Sequence, residues 1–367
     1  MRIMQILHDD QRGGVQKLAA MIEAGLLPQN VTFKTVYLYP GPGLSIWSKL
    51  GCVFGMVRRI WQGDFDAIVA YQSTASILTG AVGWACNCPL RVVHQTCLPS
   101  ETALPLRLLD KLVGTLGLYS ANIVNSAATW AEFARYPARY RRSVVLIEHG
   151  LDAPAPTHER ETTRRFFNLP LSQPVILNVG RLAAEKNQDI LIRALTCLPQ
   201  AHLVLAGAGV KMASLHDLAV TLGVDDRLHM PGALPPDDIA DLYAAADLAV
   251  FPSIWETFGF AAVEAAMTGM PLVVADLPAL REVLRWDGLE PVAFVPPDDV
   301  EGWISAIRTA LAAPPSRPAI AAYTRAIRRK YSLQRMIESY QSLFAAPAQH
   351  PPRPLAGLHT AVEESRI

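Results

Sequence analysis

Short apolar runs without alternation, each followed by a stretch of helical pattern, occur in two successive series along this chain. That repetition constrains the fold more than any other feature. In the first series strand candidates fall at residues 3–7, 33–39, 67–71, 91–95, 123–125 and 144–147, with helices at 15–24, 44–61, 75–85 and 106–119. In the second, strands at 175–179, 203–206, 228–230, 248–251, 272–274 and 293–295 alternate with helices at 189–195, 211–222, 236–246, 260–268, 279–284 and 300–312. Strands that are apolar on both faces and separated by helices belong to parallel sheets covered on both sides. The expectation is an α/β chain of two Rossmann-like, doubly wound domains.

Between the series, Pro154, Pro156, Pro170 and Pro174 punctuate a charged stretch, which marks a linker. The expected boundaries are an N-terminal domain over 1–152, a linker over 153–172, a C-terminal domain over 173–330, a last helix over 331–346 and a flexible tail over 347–367. With 367 residues, half of them hydrophobic and 18% charged, the chain can build two cores. Lys and Arg balance Asp and Glu at 33 each, which argues against a nucleic-acid partner. The balance is uneven, because residues 1–150 hold fourteen basic against nine acidic side chains and so carry +5, and the remainder −5. A basic N-terminal half suits an anionic membrane or acceptor. An ordinary surface fluctuation would look the same.

Five cysteines without a C-x-x-C pair read as reduced thiols. The N-terminus lacks the pattern of a signal peptide, and the apolar stretch at 77–88 is too short to span a bilayer. A cytoplasmic protein is expected, at the inner face of the membrane if the basic half touches lipid.

The strongest chemical signal is Trp255-Glu256-Thr257-Phe258-Gly259-Phe260-Ala261-Ala262-Val263-Glu264. It follows a strand and opens a helix, with Glu256 before the helix and Glu264 inside it. Free N–H groups near Phe258 and Gly259 favour phosphate. Glu264 is placed to accept from ribose hydroxyls and Glu256 from sugar hydroxyls. Two carboxylates at this spacing are common in solvated helices, but a Glu in so apolar a helix needs a partner. The second signal is Asn178-Val179-Gly180-Arg181-Leu182-Ala183-Ala184-Glu185-Lys186, at the carboxyl end of a strand, where open α/β sheets bind ligands. Arg181 and Lys186 there can neutralise a diphosphate, or can pair with Glu185 in an ordinary loop salt bridge.

Together these residues resemble the family-4 retaining glycosyltransferases of the GT-B fold, two Rossmann-like domains facing across a cleft. The likeness runs from Gly13 to about Phe344. It implies that Arg181 and Lys186 bind the donor diphosphate, Glu256 the donor sugar and Glu264 the ribose. Backbone groups of Phe258 and Gly259 would lie beside phosphate and sugar, and those of Ala233 and Leu234 beside the base. In the first half, Arg12-Gly13-Gly14 resembles the family's Gly-rich loop, and Gly13 and Gly14 are expected to reach the donor phosphates. His94, at a strand end, matches the family's histidine near the transferred sugar. Glu256, His94, Arg181 and Lys186 are thus the expected catalytic set. The last helix matches the segment that crosses back to the N-terminal domain. Departures occur at Glu148-His149, where Pro-Asn is common, and at Thr257, where Gly is frequent.

Gly207-Ala208-Gly209 lacks the third glycine of a dinucleotide fingerprint, which argues against a dehydrogenase. Asp64 and Asp66 have the spacing of a metal-binding pair, but at the start of a strand they read as structural. No cofactor and no metal are expected. The resemblance implies transfer of a hexose, with retention, from a UDP- or GDP-sugar to a saccharide or lipid-linked saccharide, of the kind used in bacterial surface or exopolysaccharide synthesis. The alternatives are a nucleotide-sugar epimerase or hydrolase of the same fold, and a non-catalytic scaffold.

Overall fold

The computed structural model describes residues 1–10, 13–27, 31–41, 43–286 and 291–345. Arg12 and the tail expected over 347–367 lie outside the described residues. The chain divides into two compact units, one of residues 1–150 together with the segment from Leu333 onward, the other of residues 151–332.

The first unit is built on β1 (Arg2–Leu7), β2 (Thr32–Tyr37), β3 (Ala67–Tyr71), β4 (Leu90–His94), β5 (Ala121–Val124) and β6 (Val144–Leu146). All pair in parallel, in the order β2-β1-β3-β4-β5-β6. The second carries β7 (Val175–Val179), β8 (His202–Ala206), β9 (Leu228–Gly232), β10 (Leu248–Phe251), β11 (Leu272–Ala275) and β12 (Val292–Val295). These are also parallel, in the order β12-β11-β10-β7-β8-β9. Every residue of β3, β5, β10 and β11 is buried, as their sequences, apolar but for Asn122 of β5, require when helices cover both faces. The polar strand β2 lies at an edge.

Strand order reverses next to β1 in one sheet and next to β7 in the other. Outside the carboxyl ends of strands at such a reversal, a doubly wound sheet leaves a crevice for ligands. In the second unit the β7–β10 ladder is short, pairing Ile176 with Leu248 and Leu177 with Ala249. Just beyond it the buried Asn178 side-chain amide donates to the Val250 carbonyl at 2.7 Å.

The stretch 153–172, marked as a linker by its prolines, is instead packed into the second unit. It holds the helix Arg160–Phe166, whose Arg164 is buried. That guanidinium donates to the carbonyls of Ala245, Pro170, Leu171 and Gln173 and pairs with Asp247 at 2.7 Å. A buried cation with so many acceptors fixes the segment that carries it. Asp241 holds the preceding turn through the backbone N–H groups of Thr157 and His158 and the His158 ring. Burial disfavours its charge, but these donors outweigh burial and set the carboxyl at about 2.

The final helix, Leu333–Ala345, buries Met336, Ile337, Tyr340 and Leu343 and packs on the helix Gly14–Leu26 of the first unit. Gly25 permits the approach, since a Cβ there would stand 2.4 Å from Ile337 Cδ1. No helix among the described residues is long and apolar enough to cross a membrane.

Candidate functional site

Two loops meet at the carboxyl ends of β7 and β10. The first leaves β7 at Gly180. Its path is set by backbone bonds from Gly180 to Ala206 and from Leu182 to Ala208, both 3.0 Å. Gly207 and Gly209 give it room. A Cβ on Gly207 would lie 1.9 Å from the Gly180 carbonyl oxygen, and one on Gly209 2.1 Å from that of Leu182. The glycine pair that fails as a dinucleotide fingerprint thus cradles the loop bearing Arg181. The buried Gln188 fastens the same loop by donating to the Arg181 carbonyl at 2.9 Å.

The loop ends at Asn187, held left-handed at φ 54°, a conformation Asn tolerates well. Its side chain donates to the carbonyls of Pro252 and Pro297 at 3.2 and 2.8 Å. The second loop, after β10, is joined to the first by the Ile254 N–H on the Glu185 carbonyl at 2.8 Å. These ties bring Lys186 onto Glu256, where the two form an ion pair. The buried Ser253 hydroxyl donates to the same Glu256 oxygen at 2.9 Å. Arg181 pairs with Glu185 and stays largely exposed. Burial raises the Glu185 carboxyl, but its own backbone N–H, Arg181 and Lys186 together leave it below its ordinary value.

The second loop then enters the helix Phe260–Thr268. Gly259 caps it at φ 84°, where a side chain would be strained and a Cβ would sit 2.6 Å from Leu280 Cδ2. The Phe258 ring is buried edge-on to Phe260 and Tyr331, which anchors the backbone at the helix start. There is no acidic residue in the first turn of this helix. Its N–H groups therefore keep their preference for an anion. Glu264, 8% exposed, lies one turn in. The Tyr243 hydroxyl contacts it at 3.4 Å and donates to the Ala261 carbonyl at 3.0 Å. Burial, then the nearby Glu264, pushes the Tyr243 phenol well above its ordinary value, so it remains a donor. Ala233 and Leu234 leave β9 at the same carboxyl edge, after Gly232 at φ 82°.

Arg181, Lys186, Glu256, Phe258, Gly259 and Glu264 are therefore gathered on two tied loops and one helix, with Ala233 and Leu234 on the loop two strands away. Ser253, Asn187, Gln188 and Tyr243 position them, and the roles of Gln188 and Tyr243 escape sequence reading. Each is a single polar residue whose partner only the folded loops reveal, the Arg181 carbonyl for Gln188 and the Ala261 carbonyl for Tyr243. Gly13, Gly14 and His94 belong to the first unit. Gly13 is the extended cap of the exposed helix start at Gly14, with no acidic residue in its first turn. His94 ends β4 and is 2% exposed, stacked on Tyr71 at 4.4 Å and on Tyr340 at 5.7 Å. Burial, then the neighbouring His149, lowers its ring well below the ordinary value, and its Nε2 has no hydrogen-bond partner among the described residues. Asp66 and Asp64 serve β1, accepting from the Arg2 N–H and guanidinium. Among the described residues, no three His, Cys, Asp or Glu side chains gather as a metal site.

Residues 159–327 match the family described as glycosyl transferases group 1. D-inositol 3-phosphate glycosyltransferase of Corynebacterium urealyticum is 27% identical over 248 residues, covering 62% of this chain and 58% of that protein. The protein of the same name from Mycolicibacterium smegmatis is 30% identical over 245 residues, covering 64% and 55%. The matched region thus spans under three-fifths of these relatives' lengths. Among solved structures, Anabaena HepE in complex with UDP-glucose superposes with a TM-score of 0.79 at 20% identity, covering 94% of this chain and all of that one. The chain accordingly has the GT-B fold, and residues 159–327 of its second unit match the glycosyl transferases group 1 family.

Proposed function

We propose that this protein is a retaining glycosyltransferase that moves a hexose from a UDP- or GDP-sugar to a saccharide or lipid-linked saccharide. The observation that carries the reading is the convergence of Arg181, Lys186, Glu256 and the Gly259 helix start at the strand-order reversal of the second unit. A diphosphate there meets two cations and a helix N-terminus, the groups that stabilise charge on a leaving group. Glu264 takes the ribose hydroxyls, the backbone at Ala233 and Leu234 the base, and Glu256 the hydroxyls of the hexose. The relatives named glycosyltransferases, and a neighbour holding UDP-glucose, support the same donor class.

In the transfer, the bond from C1 of the sugar to the diphosphate oxygen breaks and a bond from the acceptor oxygen to C1 forms on the same face. The acceptor proton passes to the departing diphosphate. Each charged contact to that group stabilises it by about 1.5–3 kcal/mol. His94, neutral by burial, offers Nε2 to a sugar hydroxyl, and Gly13 and Gly14 offer backbone N–H groups to the phosphates. The first unit binds the acceptor. Its positive charge suits an anionic membrane at the cytoplasmic face, as in assembly of bacterial surface polysaccharide. No step in this reading requires a metal.

The test is release of nucleoside diphosphate from UDP- and GDP-hexoses, with and without a panel of saccharide and lipid-linked acceptors. Release that depends on an acceptor, with the donor's anomeric configuration kept in the product, supports transfer. Equal release without acceptor would point to a hydrolase or epimerase.

A further inference from the structure

We infer that the layer of helices on one face of the first unit's sheet is a docking surface for an anionic lipid bilayer, led by the helix Ile46–Gln62. The topology makes that layer continuous. Right-handed crossovers place the helices Ile46–Gln62, Ser73–Ala85 and Leu104–Thr115 on the same face, since each connection runs in the same direction across the sheet. The first packs on the second and the second on the third.

The outer side of this layer is apolar where a water-facing helix would be polar. On Ile46–Gln62, Met56 and Ile60 face the core. The opposite stripe carries Trp47, Leu50, Phe54 and Trp61, with Trp47 79%, Phe54 73% and Trp61 61% exposed. Spacings of three, four and seven residues put them on one face. Trp84 is exposed on the middle helix, and Leu108, Leu112 and Leu116 on the outer side of the third and just past its end. Exposed apolar residues scattered singly need no explanation, but a stripe of four along one helix face, with further ones on the other two helices of the layer, marks an interaction site.

The charge pattern selects the occupant. The helix Ile46–Gln62 has no acidic residue, and its Lys49, Arg58 and Arg59 are all exposed. The helix Leu104–Thr115 has one acid, Asp110, which is buried and accepts from the Tyr119 and Tyr140 hydroxyls at 2.7 Å. Tryptophan and phenylalanine beside exposed cations, with no exposed acid among them, is the composition of a helix lying in the headgroup region of an anionic membrane. The apolar stripe would sit roughly 5–10 Å into the headgroup boundary. This deepens the proposed reading, on which it rests for the presence of a membrane acceptor. Donor binding in the second unit does not depend on it.

The experiment is sedimentation of the full chain with vesicles of phosphatidylcholine containing 30 mol% phosphatidylglycerol, over a salt series and without nucleotide. Binding is expected at low salt and weakens as salt rises. Brominated acyl chains quench tryptophan fluorescence, and Trp47→Phe removes part of the quenching while binding persists. Trp47→Ser with Phe54→Ser and Trp61→Ser lowers vesicle affinity tenfold or more without lowering the melting temperature. Lys49, Arg58 and Arg59 replaced by Gln flatten the salt dependence. No binding at low salt, or unchanged binding by the triple serine variant, overturns the proposal. So does a stable dimer that the triple variant dissociates, because the face would then bind a second copy. Since no nucleotide is present, either result leaves the donor-site reading to its own test.

Discussion

Lys186 and Glu256, 70 residues apart in sequence, form an ion pair at the carboxyl edge of the second sheet, and Ser253 donates to the same carboxylate oxygen. Both side chains are mostly buried, at 26% and 15% exposure. The pair joins the loop after β7 to the loop after β10 and holds the Lys186 ammonium in place. Lys186→Ala should lower turnover by tens-fold, the scale of one lost charged contact. In thermal melts, Lys186→Met and Glu256→Gln should be non-additive by about 0.5–2 kcal/mol, because each removes the other's partner. Additive losses would show that the two loops are held by the backbone bonds alone.

Glu264 and Tyr243 give a test of the ribose contact. Glu264→Gln should weaken UDP or GDP binding about tenfold and abolish any preference for the ribonucleotide over its 2′,3′-dideoxy form. Isothermal titration of the two nucleotides measures both effects. Tyr243→Phe removes the hydroxyl from Ala261 and Glu264 and should cost about 0.5–1.5 kcal/mol of stability. A Glu264→Gln variant that still prefers the ribonucleotide would remove Glu264 from the ribose.

Three glycines separate backbone strain from collision. Gly223 has φ 65° and open space around its missing Cβ, so Gly223→Ala should cost only the left-handed strain, about 1–2 kcal/mol. Gly259→Ala adds Leu280 at 2.6 Å to a similar strain and should cost about 2 kcal/mol or more. Gly207→Ala drives a Cβ into the Gly180 backbone and should displace the Arg181 loop. Melting temperatures should fall least for Gly223, and donor affinity should fall for Gly207 and Gly259 alone.

The strands were largely legible because each is a short apolar run buried on both faces. The Glu256-to-Glu264 segment was legible because it follows such a run and opens a helix. The helix Arg317–Lys330 was not, because its buried stripe is only Tyr323, Thr324 and Ile327 and its arginines mask the period. Arg164 misled in the opposite sense, since a buried arginine reads as a surface charge until Asp247 and its carbonyl partners are in place. Strand order depends on contacts between distant segments that no local pattern encodes, and the return of the last helix to the first unit was expected from the family resemblance alone.

Acid should unfold the first unit through its buried histidines. Burial holds His149 at about 3, and burial with His149 lowers His94. In the unfolded chain both titrate near 6.5. Below that pH the unfolded state binds protons that the folded state refuses. Stability is thus full above about pH 6.5 and is lost as pH falls, by about 1.4 kcal/mol per pH unit for His149 until pH nears 3, with His94 adding a loss of the same sign. Asp241 adds a further loss between 3.8 and about 2 in the second unit. Melts from pH 8 to 4 should show the decline, and His94→Phe, which keeps the stacking on Tyr71 and Tyr340, should make it shallower. A flat wild-type profile would contradict the account.

The central claim is that the carboxyl edge of the second unit binds a nucleoside diphosphate through Arg181 and Lys186. Calorimetric titration of UDP and GDP into the wild-type chain, Arg181→Ala and Lys186→Ala tests it directly. The account predicts binding of one of the two nucleotides, weakened about tenfold or more by each substitution, with uridine or guanosine alone binding far more weakly and indifferently to both. Binding of neither nucleotide, or equal affinity in all three proteins, would contradict it.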